Sequence, residues 1–227
     1  MPDGGLLLAV DGPSGTGKST TCRNLAKILD AKYVDTGAMY RVATLAVLRA
    51  GVDPTDKAGV IAVTEDLPLG ISSDPDSTEV FLGNEDISRA IREDEVTRNV
   101  SAVSAIPEVR DNLVRLQRKI ALESGRAIVE GRDIGTVVLA DSPAKAYMTA
   151  SAEVRAQRRF DQNQAAGMNA DFDVILADIQ RRDDADSSRE TSPLRPAKDA
   201  VIVDTSNLSR EEVIEALLNI VKESAND

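Results

Sequence analysis

Two kinds of hydrophobic pattern alternate along the chain. Short apolar runs that end in Asp or Gly are followed by stretches whose apolar residues recur every three or four positions. Leu6 to Val10, with Asp3 before it and Asp11 after it, reads as a buried parallel strand. Cys22, Leu25, Ala26 and Leu29 fall at i, i+3, i+4 and i+7 and predict a helix. Tyr33–Val34 is a second, short strand running into Asp35-Thr36-Gly37. Ala38–Ala50 then reads as a helix that stops at Gly51 and at Asp53-Pro54.

The pattern changes between about residues 60 and 92. Leu67–Ser72 and Thr78–Leu82 look like strands, and Gly83-Asn84 signals a hairpin before Glu85–Ser88. This predicts a small antiparallel insert. Helices are expected over Asp94–Ala105 and Pro107–Glu123, the second with Val109, Leu113, Leu116 and Ile120 on one face. Core strands follow at Ala127–Val129 and Ala144–Thr149, and Ser151 is placed to cap a helix carrying Arg155, Arg158 and Arg159. Gln162–Asp171 is polar and predicts a turn before a helix near Phe172–Arg181, and Arg182–Lys198 is a polar segment. Ala200–Val203 is a fifth strand, and Ser209-Arg210-Glu211-Glu212 is a capping box opening a last helix. The alternation predicts an α/β fold with a five-stranded parallel sheet flanked by helices. The 227 residues read as one unit: a core of 1–59, 93–150 and 199–227, the insert at about 60–92, and a helical, Arg-rich lid at about 151–198.

Composition narrows the chemistry. There is no His, which removes Ser-His-Asp and Cys-His nucleophile systems and every His-ligated metal site. The single Cys, Cys22, removes an intrachain disulfide and a Cys-cluster metal site, and the helical face it shares makes it a core residue. A metal would have to be held by oxygens, which points to Mg²⁺ or a similar hard cation. Twenty-seven Lys and Arg against 38 Asp and Glu leave a net charge of −11, which argues against general adhesion to nucleic acid or anionic membranes. No leader or spanning segment is visible, so a cytoplasmic protein is expected, and a monomer.

Residues 12–19 read G-P-S-G-T-G-K-S, a complete match to G-x-x-x-x-G-K-[ST]. The glycines let backbone N–H groups turn inward, and the helix behind them adds its positive end, so the loop suits a polyphosphate. Gly12, Pro13, Ser14, Gly15, Thr16, Gly17, Lys18, Ser19 and Thr20 are the expected ATP-binding residues, with Lys18 following the transferred phosphoryl group and Ser19 offering a hydroxyl to Mg²⁺. A bare glycine turn is the bland alternative, and the flanking strand and helix weigh against it. No N-K-x-D segment for reading guanine is present. Further Arg residues lie beside turn residues: Arg41 after D-T-G-A-M-Y, Arg132 in E-G-R-D, and Arg182 and Arg189 in R-D-D-A-D-S-S-R. Arg suits a fixed phosphate because its planar fork bonds two oxygens at once.

At this point the chain resembles the bacterial-type cytidylate (CMP/dCMP) kinases, P-loop nucleoside monophosphate kinases. The resemblance is carried by D-G-P-S-G-T-G-K-S (11–19), D-T-G-A-M-Y-R (35–41), V-E-G-R-D-I-G-T-V-V (129–138), R-A-Q-R-R (155–159), R-R-D-D-A-D-S-S-R (181–189) and P-L-R-P-A-K-D-A (193–200). It implies a P-loop NTPase fold and ATP-dependent conversion of CMP and dCMP to CDP and dCDP. By resemblance Thr36, Tyr40, Arg41 and Arg132 hold the monophosphate, with Arg189 near its phosphate or sugar. Ser101, Arg110 and Asp133 read cytosine, and Arg182 and Asp186 contact the sugar. Arg155, Arg158 and Arg159 lie on the lid over ATP and, with Lys18, Arg132 and Arg189, form the catalytic set. Glu130, in a slot that some relatives fill with Asp, is a carboxylate beside Mg²⁺-bound water. The base-reading set is chemically sensible: a carboxylate accepts from the cytosine amino group, and Arg and Ser donate to its acceptors. Three alternatives stay open on the residues alone: a uridylate, shikimate or gluconate kinase, a slow nucleotide switch, and a silent binding module.

Overall fold

The unbroken apolar run near the start of the chain is buried on both faces. In β1 (Leu6–Asp11), Leu6, Leu8 and Val10 enter one apolar cluster and Leu7 and Ala9 another. A strand between two helical layers requires this, because successive side chains point to opposite faces. The computed structural model describes residues 5–225, and Asp3 lies outside them. In chain order there follow α1 (Lys18–Ile28), β2 (Lys32–Asp35), α2 (Thr36–Arg49), α3 (Lys57–Thr64), β3 (Leu69–Ile71), β4 (Val80–Leu82), β5 (Glu85–Asp86), α4 (Asp94–Ser104) and α5 (Pro107–Glu123). The chain continues through β6 (Arg126–Gly131), β7 (Ala144–Thr149), α6 (Ala152–Ala165), α7 (Phe172–Ser187), β8 (Val201–Asp204) and α8 (Arg210–Ser224). A π-helical turn at Ile134–Val138 lies between β6 and β7.

The main sheet has the order β2-β6-β1-β7-β8, with every neighbouring pair parallel. Helices α1 and α8 cover one face, where Cys22, Leu25, Ala26, Val213 and Leu217 pack on Leu8, Ile128 and Met148. Cys22 is thus a core residue, as its spacing suggests. Val114 and Ala121 of α5 cover the other face. Pairing of Asp11 with Gly131, Asp35 with Glu130 and Asp11 with Tyr147 brings the carboxyl ends of four strands to one level. Ligands of open α/β sheets bind at that edge. Caps fix the helices around it: Asp35 accepts the Ala38 N–H at 3.0 Å, Ser151 accepts the Val154 N–H, and Ser209 and Glu212 form a complete capping box.

The insert forms a three-stranded antiparallel sheet, β3-β4-β5, turning at Gly83 with φ +61°. Its Val80 and Ile87 pack under α2 against Val42 and Leu45. Several elements depart from the sequence expectation. Helix α3 crosses the expected core–insert boundary at residue 60, so the antiparallel part begins only at Leu69. Helix α6 runs to Ala165 through residues read as a turn, and α7 runs to Ser187, so Arg182 and Asp186 sit on a helix and not in a polar loop. The reason is visible in α7, whose buried residues are Ile179 and Asp186, seven positions apart on one face. A helix that turns charged groups inward has no apolar period to read. Among the described residues no helix is long and apolar enough to cross a membrane.

Candidate active site

The loop between β1 and α1 is shaped by steric necessity. At Gly12, with φ +145°, a Cβ would meet the Met148 carbonyl oxygen at 2.0 Å, so no other residue fits. Gly17, with φ +90°, occupies the N-cap of α1 and leaves the helix without a side-chain cap, so its first N–H groups face the loop. Within the loop Lys18 is buried; its ammonium donates to the Pro13 carbonyl at 2.6 Å and the Thr16 hydroxyl at 3.3 Å. Burial, and next the charge of Arg132, pull Lys18 down to about 7, while Glu130 and Asp11 favour its charged form. Ser14 and Gly15 lie at the loop's outer wall, and Ser19 and Thr20 are exposed on the first turn of α1.

Glu130, at the end of β6, is buried beside this loop. Its Oε1 accepts the Tyr33 hydroxyl at 2.5 Å, its backbone carbonyl accepts the Thr36 hydroxyl at 2.7 Å, and its Oε2 is buried without a hydrogen bond while the Ser19 side chain lies beside the carboxylate. Burial and then Asp35 push the Glu130 carboxyl up, and Lys18 opposes them. A buried, unpartnered carboxylate oxygen beside a hydroxyl and a phosphate-binding loop is a donor set that fits Mg²⁺, a hard cation that takes a few protein oxygens and completes its shell with phosphate and water.

Across the strand ends lies a cluster of guanidiniums. Arg41 (α2) donates to the Ile91 carbonyl and the Thr97 hydroxyl, each at 2.9 Å. Arg132, just past β6, donates through Nε to Asp186 at 3.1 Å. Arg182 has a buried Nε and Arg189 a buried Nη2 with no hydrogen bond. Arg41 is pulled down to about 10, first by burial and then by Arg182, with Arg132 and Arg159 also near enough to repel it. Arg182 is lowered by burial and then by Arg132. In an acidic protein, four arginines, from α2, the turn after β6, α6 and α7, converge closely enough that three of them disfavour the charge of Arg41. That arrangement is costly unless an anion is shared among them.

A second group sits at the far end of this cluster. Arg110 is 2 % exposed, ion-paired through Nη2 to Asp133, bonded through Nη1 to the Ser104 carbonyl at 3.0 Å, and set over the Tyr40 ring at 5.1 Å. Its Nε and the Tyr40 hydroxyl are buried without hydrogen bonds. Arg189 links the two ends: it feels Asp186 on one side and Arg110, Asp133 and Tyr40 on the other. Ser101 is half-buried one turn before Ser104, whose hydroxyl donates to the Ser101 carbonyl at 3.2 Å.

The lid arginines are placed differently from the sequence expectation. Arg155 is 4 % exposed, held by Asp183 in a two-point ion pair and donating to the carbonyls of Ala150 and Ser14. It braces the phosphate loop and does not hang over it. Arg158 donates to Thr205, whose own hydroxyl donates to the Thr16 carbonyl, so it too is part of the loop's support. Arg159 alone is exposed, with Gln162 as partner, and its charge reaches Arg41. Four residues of the site were given no role from the sequence, although Asp11 and Asp183 lie within the motif stretches at 11–19 and 181–189. Asp11 accepts the N–H groups of Ile134 and Gly135. Asp183 and Thr205 brace the loop. Gln117 lies fully buried beside the Tyr40 hydroxyl with both amide atoms unbonded. A polar residue at an apolar position of the α5 face was the one available sign of Gln117.

A phosphate loop at the end of β1, faced across the same sheet edge by a cluster of arginines, fits a P-loop phosphotransferase of the nucleoside monophosphate kinase class. The chain belongs to the cytidylate kinase family, whose sequence model matches residues 8–223. It is 64 % identical over 225 residues to the cytidylate kinase of Corynebacterium glutamicum, covering 99 % of this chain and 98 % of that one. It is 53 % identical to the cytidylate kinase of Mycobacterium avium, with 96 % of each chain covered. Among solved structures the backbone is similar to a gluconokinase from Sinorhizobium meliloti, with a TM-score of 0.51 and 13 % identity over 97 % of this chain and 94 % of that one. An uncharacterized protein from Eubacterium ventriosum gives 0.53 at 12 % identity, over 96 % and 98 %. These two likenesses concern the fold alone.

Proposed function

We propose that the protein transfers the γ-phosphoryl group of ATP to the 5′-phosphate of CMP or dCMP, giving ADP and CDP or dCDP. An oxygen of the acceptor phosphate forms the new P–O bond as the bond to the β–γ bridging oxygen of ATP breaks, and ADP carries that oxygen's charge away. Such a transfer needs positioning and charge stabilisation more than covalent chemistry, which agrees with a site of Lys, Arg, Ser and carboxylates lacking His. The loop from Gly12 to Thr20 holds the donor phosphates, and Lys18 moves from the Pro13 carbonyl and Thr16 hydroxyl to the phosphoryl oxygens. Ser19 and Glu130 would hold Mg²⁺, which when bound neutralises the charge on the β- and γ-phosphates. Arg41 and Arg132 hold the acceptor phosphate beside Thr36, while Arg182, Asp186 and Arg189 hold the sugar side. Arg159 adds its charge from α6.

The Arg110–Asp133 pair, with Ser101 and the Tyr40 ring, reads the base. Asp133 accepts from the cytosine amino group, and a uracil carbonyl would meet the same carboxylate unfavourably. One chain builds both half-sites, so a monomer suffices, and its substrates place it in the cytoplasm. The observation that carries this reading is the convergence of Arg41, Arg132, Arg159 and Arg182 opposite the phosphate loop. A coupled assay with ATP across CMP, dCMP, UMP, AMP and shikimate tests it: CMP and dCMP should dominate. Preference for another acceptor, or ATP hydrolysis with none, would overturn it.

A further inference from the structure

Tyr33 has no place in the motifs and packs like a core residue, yet its one polar atom is spent on the active site. It pairs with Ile128 across β2 and β6, and Glu130 is two residues further on the same face of β6. The ring is 1 % exposed, and its hydroxyl therefore reaches along the strand to Glu130 Oε1 at 2.5 Å. The ring itself is held from two further sides. The Arg23 guanidinium lies over it at 4.3 Å while donating to the carbonyls of Pro75 and Ser77, and the Tyr33 N–H donates to the Ser73 carbonyl at 2.9 Å. With Oε1 taken by Tyr33, Oε2 is the oxygen left buried without a hydrogen bond, and the Ser19 side chain lies beside the carboxylate.

We infer that Tyr33 is a positioning residue for the Mg²⁺-associated carboxylate, clamping Glu130 by one oxygen so that the other faces the Ser19 hydroxyl and the donor phosphates. The inference rests on the proposed kinase reading, in which Glu130 and Ser19 hold the metal. Outer-shell partners of this kind orient a ligand and tune its affinity, and losing one weakens metal binding about 10-fold or more.

The test uses Tyr33→Phe, which removes one oxygen and keeps the ring under Arg23. The first readout is the gain in ATP affinity when Mg²⁺ is added, from calorimetric titrations of the full-length protein with ATP in Mg²⁺ and in EDTA. The second is the Mg²⁺ concentration giving half-maximal CMP phosphorylation. Tyr33→Phe should cut the gain and raise the half-saturating Mg²⁺ by on the order of 10-fold, leaving ATP affinity in EDTA unchanged. Glu130→Gln should cut the gain as well, and adding Tyr33→Phe to Glu130→Gln should cut it no further. An unchanged gain in Tyr33→Phe with a reduced gain in Glu130→Gln overturns the role of Tyr33 and leaves Glu130 as the metal's carboxylate. An unchanged gain in both removes Glu130 from the metal site and this inference with it, while CMP phosphorylation by the wild type upholds the kinase reading independently.

Discussion

The carboxylate of Asp11 accepts the backbone N–H of Gly135 at 2.7 Å, and that of Ile134 at the same distance. The last residue of β1 thereby fixes the start of the π-helical turn directly after Arg132 and Asp133. The phosphate loop and Asp133 follow two neighbouring strands, β1 and β6, and this side chain ties the segments beyond the strand ends together.

Burial pushes Asp11 from 3.8 up to about 6, against the two backbone donors, with Asp133 adding to the rise. Between those values the folded protein holds the proton more tightly than the unfolded chain, so this group's contribution to stability falls as pH rises through the window and is constant above it. Urea unfolding of wild type and Asp11→Asn across the window should show wild type losing up to about 3 kcal/mol relative to the variant. A difference independent of pH would mean that Asp11 stays ionised throughout.

Lys18→Ala should lower kcat by on the order of 10²–10³-fold, the usual effect of removing one preorganised charge from a transfer site. The variant should fold, since it replaces a buried ammonium with a small apolar group. Near-normal turnover by the folded variant would refute the role given to Lys18.

The same lysine makes donor binding proton-linked. With Lys18 lowered to about 7, most of it is neutral near pH 8. Polyphosphate favours the ammonium and raises that value, so ATP binding should take up protons, approaching about one per site near pH 8. Calorimetric titrations in buffers of different ionisation enthalpy measure the uptake. No uptake, or the same uptake in Lys18→Met, would sink the prediction.

If Asp133 reads the base as proposed, Asp133→Ala should narrow the preference for CMP over UMP by about 10-fold or more, because a uracil carbonyl would no longer meet a carboxylate. It also strands the buried Arg110 charge, at a cost of about 3–5 kcal/mol, so Asp133→Asn provides a milder second variant. Steady-state discrimination left unchanged in both would take Asp133 out of base reading.

Arg155 and Arg159 should separate. Removing Arg155 breaks a part-buried ion pair with Asp183 and two bonds to carbonyls, one of them in the phosphate loop. Arg155→Ala should therefore lose about 3–5 kcal/mol of stability together with ATP affinity. Arg159→Ala should melt like wild type and lose kcat. Equal melting temperatures for the two variants would return Arg155 to an exposed lid role.

The strands of the main sheet, the antiparallel insert, the phosphate loop and the caps at Ser151 and Ser209 were legible in the chain, because each element depends on neighbours within a few residues. Apolar periods, turn glycines and capping side chains are all local causes. The motif residues Arg41, Arg132, Arg182 and Arg189 were legible as types suited to phosphate, and the strand ends as the place where such groups converge, but the partner each guanidinium takes was not. What only the tertiary structure decided are the contacts across long separations: Tyr33 to Glu130, Asp11 to Gly135, Arg155 to Ser14 and Asp183, and Gln117 beside Tyr40. A hydrogen bond between residues roughly 100 positions apart leaves no period in either segment. Helix α7 shows the same limit, since turning Arg182 and Asp186 inward replaces the apolar stripe by which a helix announces its buried face.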